Sequence, residues 1–366
     1  MLDAAPPKFE SYVLTTNTDL GQKQPLDVIP DVWLSHSGAQ VYYCSVEKIA
    51  SFVRAIRKVR SLRPAAIYLN SFFDPWFSIV PQALFRLGWL SPKGLAIAPR
   101  GEFSAGALAL KKQKKSFYIQ AFKLSGLAGK VVWHASAPAE AADIRAIFGP
   151  DVSIVIREND TLLPERALDP VQPTGGPLRA VSLSRLSPKK GIHTLLEGLQ
   201  SVDANISLDI IGPPEDLSYF ERCKSLVASL PPNVRVRFLG AIPHDEIRSR
   251  LNQYDVMFCP TKGENFGHVI AEGLSASCPV LCADVTPWSE RLVGGGGEIV
   301  SPNNSMGWAR AVNAYAGTST AERLRRRLAA AACYNVWRAQ DPQAHFFSLL
   351  ERELLDRSSA SVPRKR

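Results

Sequence analysis

The chain has 366 residues, 46% of them hydrophobic and 21% charged, an ordinary globular composition with length enough for two domains. Its net charge of +9 points to anionic partners, whether a nucleotide, a membrane surface or nucleic acid. No apolar run approaches the roughly 20 residues of a membrane span, and the opening Met1-Leu2-Asp3-Ala4-Ala5-Pro6-Pro7 lacks the basic start and apolar core of a signal peptide. The six cysteines are scattered, and Cys278 and Cys282 flank a Pro-Val-Leu run expected to be a buried strand. They read as core residues and reduced thiols, which implies a cytosolic setting.

In the first half, strands are expected at 11–16, 41–44, 66–70, 94–99 and 131–135, with helices at 46–62 and 137–148. Strands alternating with helices argue for a parallel α/β sheet. Such sheets bind ligands beyond the carboxyl ends of their strands. Asn70, Arg100 and His134 all fall at such ends, so three polar positions are expected to share one face. Arg100 could equally cap a loop, and His134 could be a satisfied core histidine. Lys111, Lys112, Lys114 and Lys115 belong to an expected helix with Leu108, Phe117, Ile119, Phe122 and Leu124. They form either a solvated basic face or a patch drawn to anionic lipid. No RNA- or DNA-binding module accompanies them, so nucleic acid is not an expected partner.

The stretch 155–176 is rich in proline and polar residues and reads as a connection between domains. A second α/β unit follows, with strands expected at 178–183, 207–212, 234–240 and 256–259. Arg185 and Lys190 lie just after the first of these. A loop at 261–263 leads to an expected helix at 266–276, with Asn265 as N-cap and Phe266, Val269, Ile270 and Leu274 on its apolar face. A strand, a loop and a helix start together make an anion site, because the first helical turn has free amides and the positive end of the dipole. Glu264 and Glu272 bracket that turn. From spacing alone they are either ligand carboxylates or two solvated glutamates. Gly294 to Gly297 reads as a flexible turn. Further helices are expected at 308–315 and 321–337.

Glu264-Asn265-Phe266-Gly267-His268-Val269-Ile270-Ala271-Glu272 resembles the Glu-x7-Glu signature of retaining nucleotide-sugar glycosyltransferases with the GT-B fold, the family 4-like group 1 enzymes. Ser184-Arg185-Leu186-Ser187-Pro188-Lys189-Lys190-Gly191 resembles that family's Gly-Arg-Leu-x-x-x-Lys-Gly loop, with Ser184 where glycine is usual. Pro99-Arg100-Gly101-Glu102, Trp133-His134-Ala135-Ser136 and Asp284-Val285-Thr286-Pro287-Trp288 are similar to segments of a bacterial subgroup.

The resemblance implies two Rossmann-like, doubly wound domains facing across a cleft. They are expected at 1–160 on the acceptor side and 178–340 on the nucleotide-sugar side. A linker at 161–177, a C-terminal helix at 341–357 and a disordered tail at 358–366 complete the division. The family's opening strand, Gly-rich loop and helix are not matched, so the N-terminal domain is expected to lack its first strand and helix. By resemblance, Arg185, Lys190, Glu264 and His134 are the catalytic residues. Asn265, Phe266, Gly267, His268, Val269, Glu272 and Gly212 bind the donor, and Asn70, Arg100 and Glu102 face the acceptor.

The implied activity is hexosyl transfer, with retention, from a nucleoside-diphosphate sugar such as a UDP or GDP sugar to a glycan or lipid-linked acceptor hydroxyl. It requires no cofactor and no metal. The setting is polysaccharide synthesis in the cytoplasm or on the inner membrane face. A non-catalytic nucleotide-sugar-binding subunit is the alternative, and a GT-B phosphorylase or epimerase-like enzyme is a further one.

Overall fold

The computed structural model describes residues 5–18, 24–36, 38–109, 111–340 and 344–360. They form two compact units, one of residues 1–160 with 343–366 and the other of residues 161–342. The C-terminal helix thus belongs to the first unit, although the sequence places it after the second.

The first unit holds two sheets. In one, β1 (Ser11–Thr16) pairs in parallel with β3 (Ala39–Cys44), and β2 (Trp33–His36) pairs antiparallel with β3. Strand β2 and its hairpin were not expected from the sequence. The helix Ile49–Leu62 packs Phe52, Ala55 and Ile56 on this sheet at helical spacing, against Tyr42 and Cys44. The other sheet is all parallel, in the order β4 (Ala66–Leu69), β5 (Gly94–Ile97), β6 (Val132–Ala135), β7 (Ile154–Ile156). Strand β7 occupies residues that read as linker. One face of this sheet packs Phe72, Phe103, Phe122 and Trp133. On the other, the helix Phe346–Ala360 lays Phe346 and Leu350 over Ala96 and Val132. That helix extends the expected 341–357 segment to Ala360, into the stretch expected to be a disordered tail. Residues 361–366 lie outside the described residues, as do 341–343.

The second unit is one six-stranded parallel sheet in the order β10-β9-β8-β11-β12-β13. Its strands are β8 (Leu178–Leu183), β9 (Ile206–Ile211), β10 (Val234–Gly240), β11 (Val256–Cys259), β12 (Val280–Ala283) and β13 (Gly297–Val300). The inner strands β8, β9, β11 and β12 carry near-continuous apolar runs, as strands covered on both faces must. From β8 the chain winds outward to β9 and β10, then returns to β11 and winds outward the other way. The switch point therefore lies between β8 and β11.

The glycine turn expected at 294–297 falls at the end of a wide helical turn, Leu292–Gly296, which breaks at Gly295 (φ +137°) and runs into β13. A Cβ at Gly297 would lie 1.9 Å from the Val280 carbonyl oxygen, so this strand needs glycine there to approach β12. The stretch 161–177 has no regular structure but is fastened to the second unit. Leu168 N–H donates to the Ser275 carbonyl at 2.8 Å, and Ala167 N–H to Asn335 Oδ1 at 2.8 Å.

Candidate functional site

The loops that leave β8 and β11 flank the switch point, and they are bound to each other. Lys262 N–H donates to the Lys189 carbonyl at 2.8 Å. Gly191, at φ +68°, lies so close to Pro260 that a Cβ would sit 2.0 Å from its carbonyl oxygen. This contact brings Lys190 Nζ to 2.6 Å from Glu264 Oε1. The side chains are 16% and 12% exposed, so the pair is largely shielded from water. Two opposite charges, 74 positions apart in sequence, thus sit side by side beyond the carboxyl ends of adjacent strands.

The helix after β11 is His268–Ser275, shorter than the expected 266–276, and its N-cap is Gly267 rather than Asn265. Gly267 has φ +84°, and the left-handed turn it makes lets the chain enter the helix beneath Phe266. The indole Nε1–H of Trp288 donates to the Phe266 carbonyl at 2.7 Å, and Trp288 is fully buried. Trp288 therefore fixes the loop that carries Glu264. The sequence singled out its segment but not this contact, which only the fold reveals. Phe266 is buried against Trp288 and Trp337, so its side chain is core and only its backbone can face a ligand. His268 is exposed beside the Phe266 ring, and Val269 packs partly against the core.

Glu272 stands just over one turn into the helix, nearer its start than the two turns expected. Burial pushes its carboxyl above the ordinary carboxylate range, with His244 pulling the other way. Arg185 extends from the β8 loop to Glu215, at 2.7 Å in an exposed pair. Gly212, at φ +139°, closes β9 directly under that loop, where a Cβ would lie 2.0 Å from the Ser184 carbonyl oxygen. So Arg185, Lys190, Gly212, Glu264 and Glu272 all gather at one end of the second unit. The arrangement can hold an anion at the helix start and hydroxyl groups on the two carboxylates.

In the first unit, Asn70, Arg100 and His134 are gathered at the carboxyl ends of β4, β5 and β6. Arg100 has φ +54°, a left-handed conformation that costs a non-glycine residue, and Gly101 follows at φ +77°. Its guanidinium donates to Asn70 Oδ1 at 2.8 Å, to the Tyr68 hydroxyl at 2.7 Å and to Asn159 Oδ1. These three partners are neutral oxygens.

His134 is 1% exposed and stacked on Phe346 at 4.1 Å. Its Nε2 lies 3.0 Å from the Arg157 carbonyl, which can only accept, so Nε2 carries the hydrogen. Its Nδ1 then accepts from the Tyr68 hydroxyl at 2.7 Å. Burial, reinforced by Arg100, lowers its pKa to about 3. A neutral, enclosed imidazole of this kind positions Tyr68 and through it Arg100. The catalytic role expected of His134 is not supported by its surroundings.

Glu102, expected on the acceptor side, spends its carboxylate on its own unit, accepting from the Ser71 hydroxyl and the amides of Phe72 and Phe73. Sequence reasoning missed Glu140. It is buried, accepts from Gly101 N–H and Ser136 N–H at 2.7 Å each, and so ties the Arg100 loop to the start of the helix that follows β6. A glutamate at the third position of the helix Pro138–Phe148 was a usable signal, because such residues reach back to the helix start.

Among the expected basic patch, Lys111, Lys112 and Lys114 are exposed. Lys115 instead turns inward, donating to the Ala107 carbonyl at 2.7 Å and lying over the Phe73 ring. Among the described residues no group of three or more His, Cys, Asp or Glu is gathered as for a metal, and no helix is long and apolar enough to cross a membrane.

This site sits in an α/β fold with parallel sheets that is shared with GT-B glycosyltransferases of known structure. HepE of Anabaena, solved with UDP and glucose, superposes with a TM-score of 0.68 at 14% identity, over 95% of this chain and all of that one. Residues 167–332 match the family described as Glycosyl transferases group 1. The chain is 25% identical over 118 residues to an uncharacterized glycosyltransferase of Methanocaldococcus jannaschii, 32% of each chain. It is 25% identical over 194 residues to the glycogen synthase of Mycobacterium tuberculosis, 51% of this chain and 46% of that one. The chain thus matches about a third of the length of one of these curated relatives and just under half of the other.

Proposed function

We propose that this protein transfers a hexose-type sugar, with retention, from a nucleoside-diphosphate sugar to an acceptor hydroxyl. The Lys190–Glu264 pair at the switch point, above the start of the helix His268–Ser275, carries this reading. When a donor enters, the pair opens. Lys190 turns to the diphosphate and Glu264 to the sugar hydroxyls, while Glu272 takes the ribose. Arg185 leaves Glu215 for phosphate oxygens; that exposed pair is of the kind worth about 0–1 kcal/mol, so the exchange is easy. As the glycosidic bond breaks, negative charge collects on the leaving diphosphate. Arg185, Lys190 and the amides from Asn265 to Val269 stabilise it without reorganising. These cations make an obligatory divalent metal unnecessary, and no cofactor is invoked. In the first unit, Arg100 and Asn70 contact the acceptor, with Tyr68 and His134 behind them.

The acceptor in this proposal is a glycan or lipid-linked glycan of polysaccharide synthesis, and UDP or GDP is the donor nucleotide. Exposed Lys111, Lys112 and Lys114 lie in and beside a helix that also exposes Phe117 and Leu124, which supports peripheral attachment to an anionic cytoplasmic membrane face. A second reading is a non-catalytic nucleotide-sugar-binding subunit. It is favoured by the first unit, whose strands fall into two sheets joined by no pairing among the described residues.

The test is calorimetric titration of the purified chain with UDP, GDP, ADP, CMP and NAD. One nucleoside diphosphate is expected to bind, with affinity lost about tenfold or more in Glu272→Ala and in Lys190→Ala. Binding followed by hydrolysis or transfer of the matching donor sugar supports the enzyme. Binding with no turnover supports the subunit. Equal affinity in wild type and both variants rules out this donor site.

A further inference from the structure

We infer that a second anion site, specific for a phosphate group, lies at the amino end of the β4–β7 sheet, opposite the strand ends that carry Asn70 and Arg100. The helix Ile49–Leu62 ends there, and Arg57, Arg60, Ser61, Arg63 and Trp89 line an open cleft of about 630 Å³. Arg57, Arg60 and Ser61 are spaced so that they share one helix face. Arg63 follows the last turn at φ +47° and leads into β4. The adjoining loop brings Lys93, whose amide donates to the Ala65 carbonyl at 2.9 Å.

Basic residues in a last helical turn are commonplace, since they complement the dipole. Two observations separate this cluster from that case. First, Arg54 one turn earlier is paired with Asp31 at 2.6 Å, whereas no carboxylate pairs with Arg57, Arg60 or Arg63 among the described residues. Like charges at this spacing repel unless an anion joins them. Second, the Arg60 guanidinium is not loose in solvent. It lies 4.6 Å from the centroid of the Trp89 ring, and Trp89 is itself half-buried against the core that this helix forms with the β1–β3 sheet. The indole therefore holds Arg60 in place before any ligand arrives. A planar guanidinium fixed beside two others that line an open cleft suits bidentate contacts to phosphate oxygens. The phosphate could be a lipid headgroup or a soluble phosphate compound. Leu87, 79% exposed two residues before Trp89, is available to touch acyl chains in the first case. The cluster belongs to the first unit and the proposed donor residues to the second, and the inference does not depend on the transfer reading.

The test uses the full chain in two arms, inorganic pyrophosphate by calorimetry and flotation with phosphatidylcholine vesicles with or without phosphatidic acid. Wild type is compared with the triple variant Arg57→Gln, Arg60→Gln, Arg63→Asn. These side chains are exposed and asparagine tolerates the left-handed position, so the fold is retained. A control removes the same charge from the second unit with Arg235→Gln, Arg250→Gln and Arg310→Gln. The triple variant is expected to lose about tenfold or more in one arm, while the control stays within about twofold. Loss for vesicles alone identifies a lipid phosphate, and loss for pyrophosphate identifies a soluble one. Trp89→Leu is expected to give an intermediate loss. The proposal is overturned if wild type binds neither probe, if the triple variant binds both as wild type does, or if the control falls as far as the triple variant.

Discussion

Glu272 and His134 are both partly or fully removed from water, and their titrations run in opposite directions. For Glu272, burial raises the carboxyl in the folded state. Folding then favours the protonated form. That contribution is present below the unfolded value of 4.5 and is lost as pH rises through the folded value. Glu272→Gln is therefore expected to raise the melting temperature near pH 7, with the gain vanishing in acid, while weakening nucleotide binding. A melting series across pH measures both. His134 is the reverse case, since its pKa falls from 6.5 to about 3. Its stabilisation is full above 6.5 and is lost as pH drops toward 3. His134→Asn is expected to cost ~1–3 kcal/mol at neutral pH, because Tyr68 and the Arg157 carbonyl lose a buried partner. It is also expected to flatten the acid limb of the stability curve. An unchanged acid limb would mean another group drives that transition.

Loops and strands explain why some of the site was legible and some was not. Strands β8, β9 and β11 announce themselves as apolar runs ending in Ser184, Gly212 and Pro260, so the residues beyond them could be assigned to one sheet end. Strand β2, with Ser35 and His36 in its four residues, and β13, which opens on a run of glycines, carry no such pattern. The pairing of Lys190 with Glu264 depends on β8 lying beside β11, and nothing local in the sequence encodes that adjacency. The burial of His134 likewise depends on Phe346, more than half the chain away. Two glycines test the loop geometry. In Gly191→Ala and Gly212→Ala the new methyl group meets a backbone oxygen at 2.0 Å, and in each the left-handed conformation opposes a side chain. Each is expected to lose ~2–4 kcal/mol in urea unfolding. Gly240→Ala, with a positive φ but open space around it, is expected to lose only ~1 kcal/mol. Equal losses at all three positions would show that conformation alone matters and that the loops are not tightly apposed.

At the scale of the whole molecule, the chain crosses from the first unit to the second and returns. The helix Phe346–Ala360 completes the β4–β7 sheet after the second unit is finished. Its hold is specific. Phe346 is buried against Ala96, Val132 and His134, Leu354 fills the space a side chain at Gly94 would need, and Arg357 donates to the carbonyls of Lys130 and Val131. Phe9 meets Phe347, and Lys8 pairs with Glu351, so the residues before β1 rest on the same helix. The first unit is therefore closed by the last helix among the described residues, while the residues proposed to bind the donor all lie in the second. Calorimetry should separate these two dependences. Phe346→Ala is expected to destabilise the first unit by ~3–5 kcal/mol and to leave the melting of the second in place. A bound nucleoside diphosphate is expected to raise only the transition that Phe346→Ala leaves unmoved, because ligand stabilises the unit that binds it. If mutation and nucleotide shift a single common transition, the two units unfold as one, and the return of the chain couples them in stability as well as in sequence.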